Sequence, residues 1–225
     1  VALTSEELRA NIAAGHERLA KRLVELTDDE ARGPSALPGW SRGHVLTHLE
    51  NLGRAFRRQA EYALAGKTIE VYDGGRPGRD AGIEAGAGRS AAELREGVLD
   101  SIHGLEESWA QVPEDGWQRP VRYREGPLLG TVFCWWREVE IHFADADLGY
   151  RTDDWSPEFC AHVLEFLAPR APEGVRLVLR PVDDPREWAW GSGPEAEARG
   201  RLTELTAWMA GRREDGSLPA LGPWP

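Results

Sequence analysis

Apolar residues recur with a helical period in four stretches of the first 150 positions. Leu8, Ile12, Leu19, Leu23 and Leu26 are spaced by three, four or seven, which places them on one face of a 3.6-residue helix. Thr4 with Glu7 three residues on forms the capping box that starts it. Val45, Leu49, Leu52 and Phe56 predict a second helix, opening after the N-cap Ser41 and running toward Gly66. A third opens at the Ser90–Glu93 capping box, carries Leu94, Val98, Ile102, Leu105 and Trp109, and stops before Pro113. The fourth spans about Leu128 to Leu148, with Gly149 as its stop signal. Gly33 to Gly39 reads as a loop by its Gly and Pro content. Lys67 to Arg89, rich in Gly and Arg, reads as a long functional or mobile loop.

The texture changes after Tyr150. A helix over Pro157–Leu167 is followed by an alternating strand, Val175 to Leu179, and a second strand at Glu187 to Trp190. Leu202 to Ala210 predicts a final helix, and the tail from Ser217 is Pro-rich. No internal repeat is present. The pattern predicts an α+β chain: a four-helix bundle over residues 1–150 and a small α/β domain over 151–225.

Composition narrows the class. Hydrophobic residues at 41% and charged ones at 29% describe a folded globular chain. The net charge of −11 leaves no basic stripe for phosphates, which excludes nucleic acid as a partner. No apolar run reaches the ~20 residues of a membrane span, and the N-terminus reads as a polar helix without a signal-peptide core. A cytoplasmic protein is expected. Of the 27 basic residues only Lys21 and Lys67 are lysines, the codon bias of a GC-rich genome. Cys134 and Cys160 stand in no metal-ligand spacing and make no disulfide framework. They read as reduced, buried small hydrophobes. The Trp135-Trp136 and Trp188-Ala189-Trp190 runs suit a core, or the wall of an apolar pocket.

The fourth helix carries chemistry. Glu138 and His142 are four residues apart, one above the other on the helix, and can share one metal ion. Asp145 lies one turn further and can accept the other ring N–H of His142. By itself such a pair also suits an exposed ion pair. On the second helix His48 falls between Val45 and Leu52 and faces inward, where a lone histidine is commonly a satisfied core residue. His44, one turn earlier, is a rival, and spacing does not choose between them. Two imidazoles and one carboxylate would leave a tetrahedral position open, as catalytic zinc sites do.

Three segments together resemble a known family. Leu37-Pro38-Gly39-Trp40-Ser41 followed by Val45-Leu46-Thr47-His48-Leu49 is similar to a motif of DinB-like bundles. Arg137-Glu138-Val139-Glu140-Ile141-His142 with Asp147-Leu148-Gly149, and the closing Ala210-Gly211-Arg212, resemble motifs of the mycothiol-dependent maleylpyruvate isomerases. The resemblance runs in order through nearly the whole chain. It implies a DinB-like metal-binding bundle followed by a sterol-carrier-like α/β domain, and zinc held by His48, Glu138 and His142, so His48 rather than His44. It carries a functional arginine onto Arg212, as a catalytic and cofactor-binding residue, and a second onto Arg79 in the Lys67 to Arg89 segment, where the match is looser. The stretch from His142 to Leu148 is longer than the family's, so either Asp145 or Asp147 would partner His142. The cofactors implied are zinc and mycothiol, a sugar-linked cysteine. The reaction implied is the addition of its thiolate to the cis double bond of maleylpyruvate, rotation, and elimination to fumarylpyruvate. The partners implied are that thiol and a small anionic substrate, with a monomer or small homo-oligomer as the working state.

The same fold hosts other chemistry. A mycothiol S-transferase acting on another electrophile would keep the zinc and thiol and change the pocket walls. A non-enzymatic metal- or ligand-binding regulator would keep only the bundle.

Overall fold

The computed structural model describes residues 3–225. The chain divides into two compact units, Val1–Gly149 and Tyr150–Pro225. Among the described residues no helix is long and apolar enough to cross a membrane.

Unit 1 is built on α1 (Ser5–Val24), α3 (Arg42–Leu64), α5 (Ala91–Ala110) and α6 (Leu129–Asp145), with the short α2 (Asp28–Arg32) and α4 (Gly75–Gly86) between them. Helix α1 packs on α5 and α6, and α3 packs on the same two, which closes a four-helix ring. Each helix turns its apolar stripe inward: Leu8, Ile12, Leu19 and Leu23 from α1, Val45, Leu49 and Phe56 from α3, Leu94, Val98 and Leu105 from α5, Val132 and Val139 from α6. Trp135 and Trp136 are fully buried and belong to this core. The capping boxes at Thr4–Glu7 and Ser90–Glu93 are formed in both directions, which satisfies two otherwise orphaned donors at each helix start.

The expected long loop after α3 contains a helix. Helix α4 is poor in apolar residues, and only Ile83 is buried from it. It packs on α3 through its glycines: a Cβ on Gly86 would lie 2.5 Å from the Thr47 side chain. Ion pairs hold both flanks. Arg58 donates to both carboxylate oxygens of Asp73 at 3.1 and 3.0 Å. Arg89 donates to the Gly86 carbonyl and to the buried Glu50.

Unit 2 contains α7 (Pro157–Leu167), the strands β1 (Arg176–Pro181), β2 (Trp188–Gly191) and β3 (Glu195–Gly200), and α8 (Leu202–Met209). The sheet order is β2-β1-β3, with β2 antiparallel and β3 parallel to β1. Both Gly191 and Glu195 pair with Arg176, so the chain steps from one edge to the other across the start of β1. Gly191 and Gly193 make this possible at φ 79° and 123°, where a Cβ would meet the Val175 and Gly174 carbonyls at 2.3 and 2.2 Å. Helix α8 packs on α7, β1 and β3, and Phe159, Leu164, Leu177, Leu179, Trp188 and Met209 are among the buried side chains.

Candidate functional site

Helices α3 and α6 pack side by side and bring three donors together. His48 Nε2 lies 2.8 Å from Glu138 Oε2, and His142 Nε2 lies 3.2 Å from the same oxygen. The ligand atoms of the three side chains fall within 4.8 Å of one another. The two imidazoles meet edge to face at a centroid distance of 4.7 Å. His48 is buried, while Glu138 and His142 are half-buried, so the group is reachable from one side. Two imidazole nitrogens and a carboxylate oxygen are a donor set that suits zinc, and these residues fit it.

Asp145 is fully buried on the last turn of α6, and its Oδ2 lies 2.9 Å from His142 Nδ1. A carboxylate only accepts, so His142 donates from Nδ1 and presents Nε2 to the group. Asp147, the alternative partner, points elsewhere: it takes a left-handed φ of 51° and pairs with Arg42 at 3.4 Å. His48 has no such orienting acceptor, and its Nδ1 is buried without a hydrogen-bond partner. Its ring is placed by packing, with Trp40 edge-on at 5.9 Å.

His44 has another task. It occupies the N3 position of α3, where Ser41 N–H donates to its Nδ1 at 3.1 Å, and its ring stacks on Trp40. The structure therefore brings His48, not His44, to Glu138 and His142. The Ser41-x-x-His44 spacing was the readable signal: the histidine fills the slot of a capping-box glutamate.

The electrostatics follow from these contacts. Burial alone would raise the Glu138 carboxyl, but hydrogen bonds from His142 and His48 hold it well below the usual carboxylate range. Burial depresses His142, yet Asp145 and Glu138 outweigh it and raise the imidazole to about 9. At His48 burial prevails over Glu138 and the pKa falls.

Cys134, Arg79 and Tyr72, all in unit 1, interact with the group. Cys134, one turn before Glu138, donates from Sγ to Glu138 Oε1 at 3.9 Å. Burial first, then the Glu138 charge, push its thiol up to about 12, so it stays a neutral donor. Cys160, in unit 2, is likewise buried and raised to about 12 by burial. Arg79, on α4, pairs with Asp80 at 2.7 Å, and its charge is felt at Tyr72 and at His48. Burial raises the Tyr72 phenol above its ordinary range. Neither Tyr72 nor Cys134 was singled out as a site residue from sequence, since neither belongs to a spaced motif. Arg212 belongs to unit 2, where it follows Gly211 beyond α8. Its Nη1 donates to the Ala210 carbonyl at 2.9 Å, and its guanidinium lies 5.6 Å over the Trp224 ring.

A four-helix bundle with two histidines and a glutamate converging from facing helices defines a class, the helical bundles with an internal metal-ligand group. Comparison with known families narrows it. Residues 12–147 match the mycothiol maleylpyruvate isomerase N-terminal domain, and residues 154–223 match the MDMPI C-terminal domain. The chain belongs to the mycothiol-dependent maleylpyruvate isomerase family. Among solved structures it shares the fold of a mycothiol-dependent maleylpyruvate isomerase at a TM-score of 0.81 and 22% identity, covering 99% of this chain and 96% of that one. A histidine-to-alanine mutant of such an isomerase gives 0.80 and 23% over the same shares. A search of curated protein sequences finds no match.

Proposed function

We propose that this chain is a zinc enzyme that isomerises maleylpyruvate to fumarylpyruvate with mycothiol as its thiol. The observation that carries the reading is the convergence of His48, Glu138 and His142 within 4.8 Å in a chain of this family. His48 Nε2, Glu138 Oε2 and His142 Nε2 would hold the zinc. Zinc held by these three side chains would favour the thiolate form of an incoming thiol at neutral pH. Asp145 fixes the tautomer of His142. Trp40 packs edge-on against the ring of His48. Cys134, protonated and turned to Glu138, supplies no nucleophile, so the attacking sulfur comes from outside the chain. The substrate's cis double bond becomes single on addition of that sulfur, rotates, and re-forms on its expulsion. Arg79 and Arg212 are suited to the substrate carboxylates through planar guanidinium forks.

The test is to supply zinc-loaded protein with maleylpyruvate, with and without mycothiol, and to follow fumarylpyruvate. Conversion that requires mycothiol is expected. Conversion without any thiol overturns the mechanism. Conjugation of another electrophile in place of isomerisation assigns the chain to the S-transferases, and metal binding without thiol-dependent turnover to the regulators.

A further inference from the structure

A pocket of about 240 Å³ opens in unit 1 between α3, α4 and the segment that joins them. Asn51, Ala55 and Arg58 line its α3 side, and Tyr72, Asp73 and Arg79 face them. The α3 residues follow His48 by three, seven and ten positions, on the same side of the helix. At 1.5 Å per residue they lie ~4.5, ~10.5 and ~15 Å along the axis from His48. We propose that this pocket receives the sugar end of the thiol cosubstrate, with Asn51, Arg58 and Asp73 reading its hydroxyl groups. The proposal rests on the functional reading above and adds the place and chemistry of thiol recognition.

Length is the first argument. A thiol with its sulfur at the His48–Glu138–His142 group and sugar rings strung behind it can reach Arg58, whereas a short dicarboxylic acid cannot. Size is the second. Pockets for whole drug-sized ligands run to roughly 300–1,000 Å³, so this smaller one takes part of a ligand.

Donor and acceptor balance is the third argument, and it separates a sugar from an anion. Arg58 is engaged with both oxygens of Asp73 at 3.1 and 3.0 Å. Such a pair presents its remaining N–H groups and carboxylate lone pairs side by side. A hydroxyl both donates and accepts, so it is matched by such a pair and by an amide such as Asn51. A carboxylate would meet the Asp73 charge. The hydrogen bonds from Arg58 hold the Asp73 carboxyl below its ordinary range, which keeps it ionised. The glycines of α4 leave the amide its room, since a Cβ on Gly82 would come within 3.3 Å of Asn51 Nδ2. Arg79 joins the two regions, lining the pocket with Tyr72 and felt electrostatically at His48.

The experiment uses zinc-loaded full-length chain and two probes. Binding of glucosaminyl-inositol, the sulfur-free part of mycothiol, is measured by saturation-transfer NMR for wild type, Asn51→Leu and Asp73→Ala. Turnover is measured with mycothiol and with N-acetylcysteine, which lacks the sugars. Wild type is expected to bind the fragment, and each variant to lose it while keeping its zinc and circular dichroism. The preference for mycothiol over N-acetylcysteine is expected to fall on the order of tenfold, the worth of one hydrogen bond to a charged group. A wild type that does not bind the fragment, or variants in which the thiol preference is unchanged, overturns the proposal. If no thiol supports turnover while the fragment binds and the variants lose it, the functional reading fails and the pocket stands.

Discussion

Asp145 Oδ2 lies 2.9 Å from His142 Nδ1, inside the bundle and one turn beyond the three converging donors. This contact decides which nitrogen of His142 faces Glu138. A partner of this kind typically contributes 10- to 100-fold in metal affinity. Asp145→Asn is therefore expected to weaken zinc binding by about that factor in a chelator competition. Asp147→Asn, whose native side chain pairs with Arg42, is expected to leave it unchanged. Equal effects of the two changes would refute the assignment.

The ligand set gives a second prediction. His48→Ala, Glu138→Ala and His142→Ala are each expected to purify with little zinc, because two remaining donors do not hold a catalytic zinc. His44→Ala should keep its metal and lose a little stability, since it caps α3 and stacks on Trp40. Metal analysis of the four proteins checks this, and zinc loss in His44→Ala alone would reverse the assignment.

The four long helices were legible because each carries both a stripe and a start or stop signal. Helix α2 was readable in principle from its Thr27–Glu30 capping box, but five residues show no period. Helix α4 was hidden because its packing uses absent side chains: glycines at 82 and 86 approach α3, and Ile83 alone supplies buried apolar surface. Strand β3 was hidden for a related reason. Its Glu-Ala alternation offers no large apolar residue, and it is held by backbone pairing to β1 and by Arg180 reaching Glu197. At the site, spacing gave Glu138 and His142, the family resemblance gave His48, and Tyr72 came only from three dimensions, because nothing local ties it to Glu138.

The core contains a polar chain whose removal should be felt. Trp135 Nε1 donates to His16 Nε2 at 2.8 Å, and His16 Nδ1 lies 2.6 Å from Glu106. Trp135→Phe leaves a buried imidazole nitrogen unsatisfied and is expected to cost about 1–3 kcal/mol in a denaturant titration. The hydrogen bond from His16 outweighs burial and lowers the Glu106 carboxyl below its ordinary range. A carboxyl depressed on folding stabilises above its unfolded pKa and loses that contribution as pH falls through the folded one. Glu106→Gln should therefore be less stable at neutral pH and flatter below pH 4–5, near the ordinary carboxyl value. An unchanged acid limb would count against the linkage.

Helices α3 and α5 meet at Gly53, where a Cβ would lie 2.2 Å from Ser101 Oγ and 3.1 Å from the Trp135 ring. Gly53→Ala is expected to destabilise by about 1–3 kcal/mol, the usual cost of overpacking. Ser101 Cβ stands 3.5 Å from the same point, an ordinary contact. Gly53→Ala with Ser101→Ala should therefore recover part of the loss, though Ser101 also gives up its hydrogen bond to the Glu50 carbonyl. The thermal midpoints of the two single variants and the double variant make a cycle. Strict additivity would show that the close approach is relieved by helix movement instead.

The remaining prediction concerns Arg212, for which we propose anion binding. Its Nη1 donates to the Ala210 carbonyl while the guanidinium plane lies over Trp224 at 5.6 Å. Backbone and indole thus set the orientation of the fork. A lysine keeps the charge but offers neither a plane to stack nor two parallel donors. Arg212→Lys should therefore behave like a loss of geometry, not of charge. Replacing a bidentate contact to a carboxylate is worth about 1.5–3 kcal/mol, or roughly 10- to 100-fold. The expected outcome is a fall of that size in kcat/KM for maleylpyruvate, with zinc content and thermal midpoint unchanged. Trp224→Ala should move kcat/KM in the same direction by a smaller factor, because it loosens the fork without removing it. Full activity in Arg212→Lys would mean that charge alone is read at this position. Full activity in Arg212→Ala would remove the residue from the reaction altogether and leave Arg79 as the carboxylate partner.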